Sequence, residues 1–351
     1  MVRKRRILVA PLDWGLGHAT RCIPIIRELE KCGFEVLIAC SGRPLRLLMA
    51  EFPNHHFIKL QGYNIRYPQG GNMALSMLAQ GFKIWQAIIN EHRQLKLIIK
   101  EYGIDGVISD NRYGMYSKTI PCVFITHQLN IQSPILGSLI NRVNKRLISK
   151  FSECWIPDNP QRTLSGYLSQ NKNHSINCQF LGALSRFVTK QKNESLDILA
   201  IVSGPEPQRS LFEKILINQL PKLDKKSMLV LGKPEDSSSK VVGNLTVVSH
   251  LSSEALNQAM VNADVVVCRS GYSTILDLAK LNKKAVFVPT PGQTEQMYLA
   301  SYFMQNKLAF AMQQEKFNLT TALAELDSYN GIKHIDYSVN WQQLFTFFER
   351  K

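Results

Sequence analysis

Two stretches of the chain hold residues whose types and spacing suit the chemistry of phosphates and hydroxyls. The first is Asp13-Trp14-Gly15-Leu16-Gly17-His18, set between the apolar run Ile7 to Leu12 and a helical pattern from Arg21 to Cys32. Glycines allow a sharp entry into a helix, whose unpaired N–H groups and dipole favour an anion. An imidazole is the side chain best matched to proton transfer near neutral pH. A tight turn with a surface histidine is the plainer alternative.

The second stretch is richer. Arg269-Ser270-Gly271-Tyr272-Ser273-Thr274 follows the apolar run Val265 to Cys268 and opens a helical pattern through Leu281. Gly271 permits close approach to the backbone, and Ser270, Ser273, Thr274 and the helix N-terminus supply donors for a diphosphate. Asp277, one turn in, suits the two hydroxyls of a ribose, or else compensates the helix dipole. Shortly afterwards Thr290-Pro291-Gly292-Gln293-Thr294-Glu295-Gln296 gathers two amides and a carboxylate suited to sugar hydroxyls, or a helix start capped by Thr294. A nicotinamide site is disfavoured. Thr20 replaces the third glycine of the fingerprint, and the second strand ends in Ala39-Cys40-Ser41, where an acidic ribose ligand would stand.

These turns need rigid elements to hold them. Short apolar runs alternate with helical stretches: Arg6 to Ala10, Glu35 to Cys40, Gly106 to Ser109 and Cys122 to Thr126, with a long amphipathic segment from Ala74 to Lys100. After a polar stretch, Asp158 to Asn177, the rhythm restarts with strands predicted at 198–202, 228–231, 245–248, 265–268 and 285–288. Ser237-Ser238-Ser239 is expected to be a loop. This pattern predicts an α/β chain with two open parallel sheets, whose ligands bind beyond the carboxyl ends of the strands. The expected domains are 1–160 and 178–335, with 336–351 a C-terminal helix packing back on the first.

At 351 residues and 45% apolar composition, two cores are the natural division. No apolar run approaches the roughly 20 residues that span a bilayer. The basic start Val2 to Arg6 leads into a buried strand in preference to a signal peptide. The seven cysteines, at 22, 32, 40, 122, 154, 178 and 268, form no C-x-x-C pair, which argues against a disulfide framework or thiolate zinc site and fits the cytoplasm. Residues 1–165 carry 22 Lys/Arg against 11 Asp/Glu, so they hold +11 of the net +15. That bias implies a polyanionic partner: substrate phosphates, an anionic membrane face or nucleic acid. Nucleic acid is disfavoured because no aromatic stacking platform is interleaved with the basic residues. Pro134 to Lys150, with Ile135, Leu139, Ile140, Val143, Leu147 and Ile148 among Arg142, Lys145, Arg146 and Lys150, suits an anionic membrane surface or a buried helix with a solvated face.

The run from Arg269 to Asp277, Val288-Pro289 and Gln293 to Gln296 resembles the C-terminal donor domain of family 28 glycosyltransferases. Gly17-His18, His127-Gln128-Leu129-Asn130 and Gly182 to Arg186 extend the likeness over most of the chain. The best known member moves N-acetylglucosamine from its UDP donor onto a lipid-linked muramyl-pentapeptide. The resemblance implies a GT-B fold, two Rossmann-like parallel-sheet domains facing a central cleft. It places Asp277, where the family usually has Glu, on the uridine ribose. Gln296, with Gln293 or Glu295, reads the sugar, and Arg186, Ser203 and Gly204 lie along the diphosphate. Gly292 belongs to the same donor cluster, and Gly15, Gly17, His127 and Asn130 fall on the acceptor side. The donor loop departs from the pattern as Ser203-Gly204-Pro205-Glu206-Pro207, since its prolines remove N–H donors. Asp110-Asn111-Arg112-Tyr113-Gly114 replaces the acceptor-side glycine run and implies another acceptor.

The resemblance further implies inversion in a single displacement, which needs a base at the acceptor hydroxyl and positive potential at the departing phosphate. His18 is the favoured base, with Asp13 and Asp110 as rivals. Arg186, Arg269 and helix N-termini supply the charge, with no cofactor and no essential metal. The competing functions are a UDP-sugar 2-epimerase, which processes the donor alone, and a non-catalytic polyanion-binding protein, which leaves the Arg269 to Gln296 cluster without a task.

Overall fold

The computed structural model describes residues 3–63, 81–133, 136–171, 176–233, 235–333 and 337–349. The chain forms two compact units. The first runs from the N-terminus through Arg186 and takes in the C-terminal tail, and the second is Phe187–Ile335.

The first unit holds a parallel sheet of order β3-β2-β1-β4-β5-β6-β7, from β1 (Arg6–Pro11), β2 (Glu35–Cys40), β3 (His56–Lys59), β4 (Gly106–Asp110), β5 (Cys122–Ile125), β6 (Glu153–Ile156) and β7 (Cys178–Phe180). Its central strands are mostly apolar and buried because both faces are covered. The helices are α1 (Leu16–Lys31), α2 (Gly42–Glu51), α3 (Gly81–Tyr102) and α4 (Gly137–Ile148). Of the long amphipathic segment, residues 74–80 lie outside the described residues, as do Pro134 and Ile135 of the basic segment.

Two boundaries differ from the expectation. The polar stretch Asp158 to Asn177 and the strand after it stay with the first unit, because Cys178 to Phe180 pair alongside Cys154 to Ile156. The division therefore falls after Arg186. In the C-terminal tail, Trp341–Phe345 forms a helix, and Phe345 and Phe348 are buried against Phe34 and Trp155 of the first unit. A Cβ on Gly106 would lie 2.4 Å from Phe348 Cδ1, so glycine is what admits that ring.

The second unit's sheet runs β10-β11-β9-β8-β12-β13-β14: β8 (Leu196–Ile201), β9 (Ser227–Val230), β10 (Ser239–Val242), β11 (Leu245–Val248), β12 (Ala263–Cys268), β13 (Lys284–Phe287) and β14 (Phe310–Ala311). All pairs are parallel except β10 with β11. The serine run expected as a loop thus ends inside edge strand β10, since Ser239 pairs with Val248. Helices α5 (Gln208–Gln219), α6 (Ser253–Asn262), α7 (Tyr272–Lys280), α8 (Thr294–Gln305) and α9 (Leu319–Glu325) complete the unit.

Strand order reverses between β1 and β4 in one sheet and between β8 and β12 in the other. Ligands of open α/β sheets bind at such switch points, where the two neighbouring connections leave on opposite faces.

Candidate functional site

At the first switch point Pro11 and Asp110 are register partners, and Leu12 N–H donates to the Asp110 carbonyl at 3.0 Å. Helix α1 starts at Leu16, five residues before its predicted start, and so carries Gly17 and His18 in its first turn. Gly15 precedes it in extended backbone, and a Cβ there would meet nothing within 4 Å. Neither its backbone angle nor a protein neighbour demands glycine at that position.

His18 Nδ1 lies 2.9 Å from Asp110 Oδ1, and the ring keeps 20% of its surface exposed. Asp110 has no exposed surface. Arg21, three residues along α1 from His18, grips the carboxylate with Nε on Oδ2 at 2.5 Å and Nη2 on Oδ1. Burial alone would raise the Asp110 carboxyl, but Arg21 and His18 more than offset it and hold it at about 2. Asp110, considered as a rival base, is buried behind His18 and ion-paired with Arg21.

A second ionic group adjoins the first. Asn111 adopts a left-handed backbone, φ 56°, and the turn sends Arg112 beneath β1. Arg112 is fully buried, with Nε donating to the Pro11 carbonyl at 2.9 Å and Nη1 to Glu91 Oε1 at 2.6 Å. Glu91 Oε2 also accepts from Tyr63 Oη at 2.6 Å and from Gly114 N–H at 3.1 Å. Burial pushes the Glu91 carboxyl up, against the pull of Arg112 and these donors. Asp13 sits at the rim of this group, Oδ1 3.6 Å from Arg112 Nη2, and a Cβ on Gly62 would strike its Oδ2 at 1.9 Å.

Beyond β5, His127 and Asn130 are buried. Asn130 Nδ2 donates to the carbonyls of Tyr167 and Gln170 at 3.0 and 2.7 Å, and its N–H donates to the Leu168 carbonyl. That amide braces the loop beside it. Arg186, half-buried, closes the first unit.

In the second unit Ser203 and Gly204 follow β8 and are exposed, and Gly204 takes φ 109°, a conformation that favours glycine. Arg269 leaves β12 but turns inward. It is 1% exposed, with Nη1 on the Val288 carbonyl at 2.9 Å and Nη2 on the Gln208 carbonyl and Gln314 Oε1 at 2.9 and 2.6 Å. Its guanidinium lies 4.3 Å over the Phe212 ring. Ser270 is likewise buried, its hydroxyl donating to the Gln296 carbonyl at 2.7 Å. Both side chains expected on the diphosphate instead tie β12 to α5 and α8.

Gly271 caps α7, and a Cβ there would meet open space. Ser273 and Thr274 occupy the first turn of α7 and Asp277 the next, all half-buried. Gly292 (φ 80°) leads into α8, whose cap is Gln293; Thr294, considered as a cap, is its first helical residue, followed by Glu295. Gln296 accepts from Thr290 N–H at 2.9 Å and donates to Gln293 Oε1 at 2.5 Å, so the two amides stand as one unit. The candidate residues of the first unit are His18, Asp110, Arg21 and Asp13; those of the second unit, taken by itself, are Gly271, Ser273, Thr274, Asp277, Gln293 and Gln296. Arg21, Arg112 and Glu91 went unassigned in the sequence. Only Arg21 carried a signal, its i, i+3 spacing from His18 on one helix.

Residues 206–331 match the family described as "Glycosyltransferase family 28 C-terminal domain". The chain is similar to the UDP-N-acetylglucosamine--N-acetylmuramyl-(pentapeptide) pyrophosphoryl-undecaprenol N-acetylglucosamine transferase of Pasteurella multocida (strain Pm70), 24% identical over 86% of this chain and 82% of that protein. Among solved structures it superposes on Acinetobacter baumannii MurG with a TM-score of 0.58 and 17% identity, covering 98% of each chain. It also superposes on spinosyn rhamnosyltransferase SpnG complexed with thymidine diphosphate, with a TM-score of 0.65 and 12% identity over 99% of this chain and 100% of that one. The fold shared with these structures is GT-B. Among the described residues no helix is long and apolar enough to cross a membrane.

Proposed function

Taking the chain as a family 28-like glycosyltransferase of GT-B fold, we propose that it moves N-acetylglucosamine from a UDP-sugar to a lipid-linked acceptor hydroxyl, inverting the anomeric centre in one displacement without an essential metal ion. The observation that carries this reading is the partly exposed His18 ring, whose Nδ1 lies 2.9 Å from the buried Asp110 carboxylate at the first sheet's switch point. With Nδ1–H donating to the Asp110 carboxylate, Nε2 takes the acceptor proton as the hydroxyl oxygen bonds to the anomeric carbon. The diphosphate departs with the electrons of the broken C–O bond.

On the donor side, the α7 N-terminus and the open flank of Gly271 receive the diphosphate, whose growing charge the helix N–H groups stabilise. Arg186 adds a cation. Asp277 accepts from the ribose hydroxyls, and the coupled amides of Gln293 and Gln296, with Glu295, orient the sugar. Gly15 and Gly17 admit the acceptor, with His127 on that side. The Pasteurella relative is named for this donor and a pyrophosphoryl-undecaprenol acceptor. The Arg112–Glu91 pair beside the acceptor turns favours a different lipid-linked group here.

The same reading puts the enzyme in the cytoplasm, peripheral on the inner face of the membrane. Helix α4 buries Asn144, Leu147 and Ile148 and exposes Leu139 and Val143 among Arg142 and Arg146. Helix α3 exposes Phe82, Trp85 and Ile89. Exposed apolar side chains with basic neighbours suit an anionic lipid surface.

Calorimetric titration of UDP, GDP, dTDP and their sugars in EDTA tests the assignment. Binding of UDP-N-acetylglucosamine in chelator, with UDP release only when lipid extract is added, supports it. Failure of every nucleotide to bind refutes it.

A further inference from the structure

Arg21 sits where no simple histidine–carboxylate pair needs a third member. It is 3% exposed, and Nη2 lies 2.9 Å from His18 Nδ1 while gripping Asp110 together with Nε. We propose that Arg21 is a positioning residue for the base: it clamps Asp110 so that the carboxylate orients His18, and it cancels the negative charge that Asp110 would otherwise present to the ring. This inference rests on the reading of His18 as base.

The argument is one of charge and donors. A lone carboxylate 2.9 Å from an imidazole attracts a proton onto the ring. A protonated base cannot accept the acceptor's proton. With a guanidinium equally close to Nδ1, a second positive charge on the ring meets a repulsion that opposes the attraction of Asp110. A neutral ring satisfies all three groups in one way, with Nδ1–H donating to Asp110, the Arg21 hydrogens directed at the carboxylate, and the lone pair left on Nε2.

The other ionisable groups around the pair leave this balance in place. Cys22 of α1 donates from Sγ to Asp110 Oδ2 at 3.7 Å, and burial pushes its thiol well up. Cys40, at the end of β2, is pushed by burial to about 12. Asp13, in the preceding turn, faces Arg112.

The test is the titration of His18 in the full chain labelled with 15N-histidine, followed in two-bond proton–nitrogen spectra and assigned by the signal lost in His18→Gln. Arg21→Met is expected to raise the His18 midpoint by about one pH unit or more. Arg21→Lys should restore most of the parent value. Asp110→Asn should lower the midpoint, and Arg21→Met with Asp110→Asn should bring it back to within about 0.3 units of the parent, as two opposed charges removed together. A folded Arg21→Met chain whose midpoint stays within about 0.3 units of the parent overturns the proposal. If Arg21→Met does not fold, the paired variant decides: a midpoint equal to that of Asp110→Asn alone overturns it. None of these spectra needs nucleotide or acceptor, so the result stands apart from the nucleotide titrations.

Discussion

Replacing Arg269 by methionine separates a framing role from a phosphate-binding one. The guanidinium donates to the carbonyls of Val288 and Gln208 and to Gln314 Oε1, with a longer 3.3 Å contact to the Pro289 carbonyl, and it packs on Phe212. Methionine fills part of the volume but takes the guanidinium donor away from those acceptors, of which the Gln208 carbonyl keeps its place in the first turn of α5. Each buried acceptor stripped of its partner costs about 1–3 kcal/mol, and the lost contact with the ring about 0.5–2 kcal/mol. Relief from burying the cation offsets part of this; burial already depresses the Arg269 guanidinium to about 10. A net loss of about 3–5 kcal/mol is expected, close to that for breaking a buried charged contact. All four tryptophans, Trp14, Trp85, Trp155 and Trp341, belong to the first unit. In urea, tryptophan fluorescence therefore follows the first unit, and the circular dichroism change not matched by fluorescence follows the second. Arg269→Met should shift the latter transition to lower urea while UDP affinity, measured by calorimetry below the transition, stays within about twofold. A stability loss under about 1 kcal/mol together with a tenfold loss of UDP affinity would refute the reasoning and return Arg269 to the diphosphate.

Turnover in His18→Gln should fall by about 10²–10⁴-fold, with UDP affinity unchanged, in a transfer assay with lipid extract; equal losses in both would deny it the role of base. Asp277→Ala should weaken UDP binding about tenfold by calorimetry, as expected for loss of one or two hydrogen bonds to the ribose, and unaltered affinity would remove Asp277 from the donor site. Because the folded Asp110 carboxyl is held at about 2, below its unfolded value, its ion pair contributes stability above the ordinary carboxylate range. That contribution, about 2 kcal/mol, is lost as pH falls through about 2, so acid unfolding followed by tryptophan fluorescence should show less of this dependence in the chain carrying both Arg21→Met and Asp110→Asn. Charge reversal at Arg142, Lys145 and Arg146 should abolish co-sedimentation with anionic vesicles, and undiminished binding would exclude α4 from a membrane-facing role.

The repeat of apolar run, turn and helix was legible in the sequence because strands covered on both faces are built mostly of apolar side chains, as in β1, β4, β5 and β12. The order of turns at the strand ends followed from the same rhythm, and with it the segments that hold His18, Gly271 and Gln296. Short or exposed edge strands escaped. β10 shows all four residues to solvent and β14 has only two, so neither carries a burial pattern to read. Side-chain direction was decided by tertiary structure alone. Nothing local to Arg269 or Ser270 tells that α5 and α8 supply acceptors on the inward side. Likewise His18 and Asp110 lie 92 residues apart, and Arg112 and Glu91 21. The first pair exists because β1 and β4 are neighbours in the sheet, the second because α3 packs beside the turn after β4, and contacts between elements distant in sequence leave no periodic trace along the chain. The sequence determined which residues stand at the ends of strands; packing determined which of them face one another and which are bound into the frame.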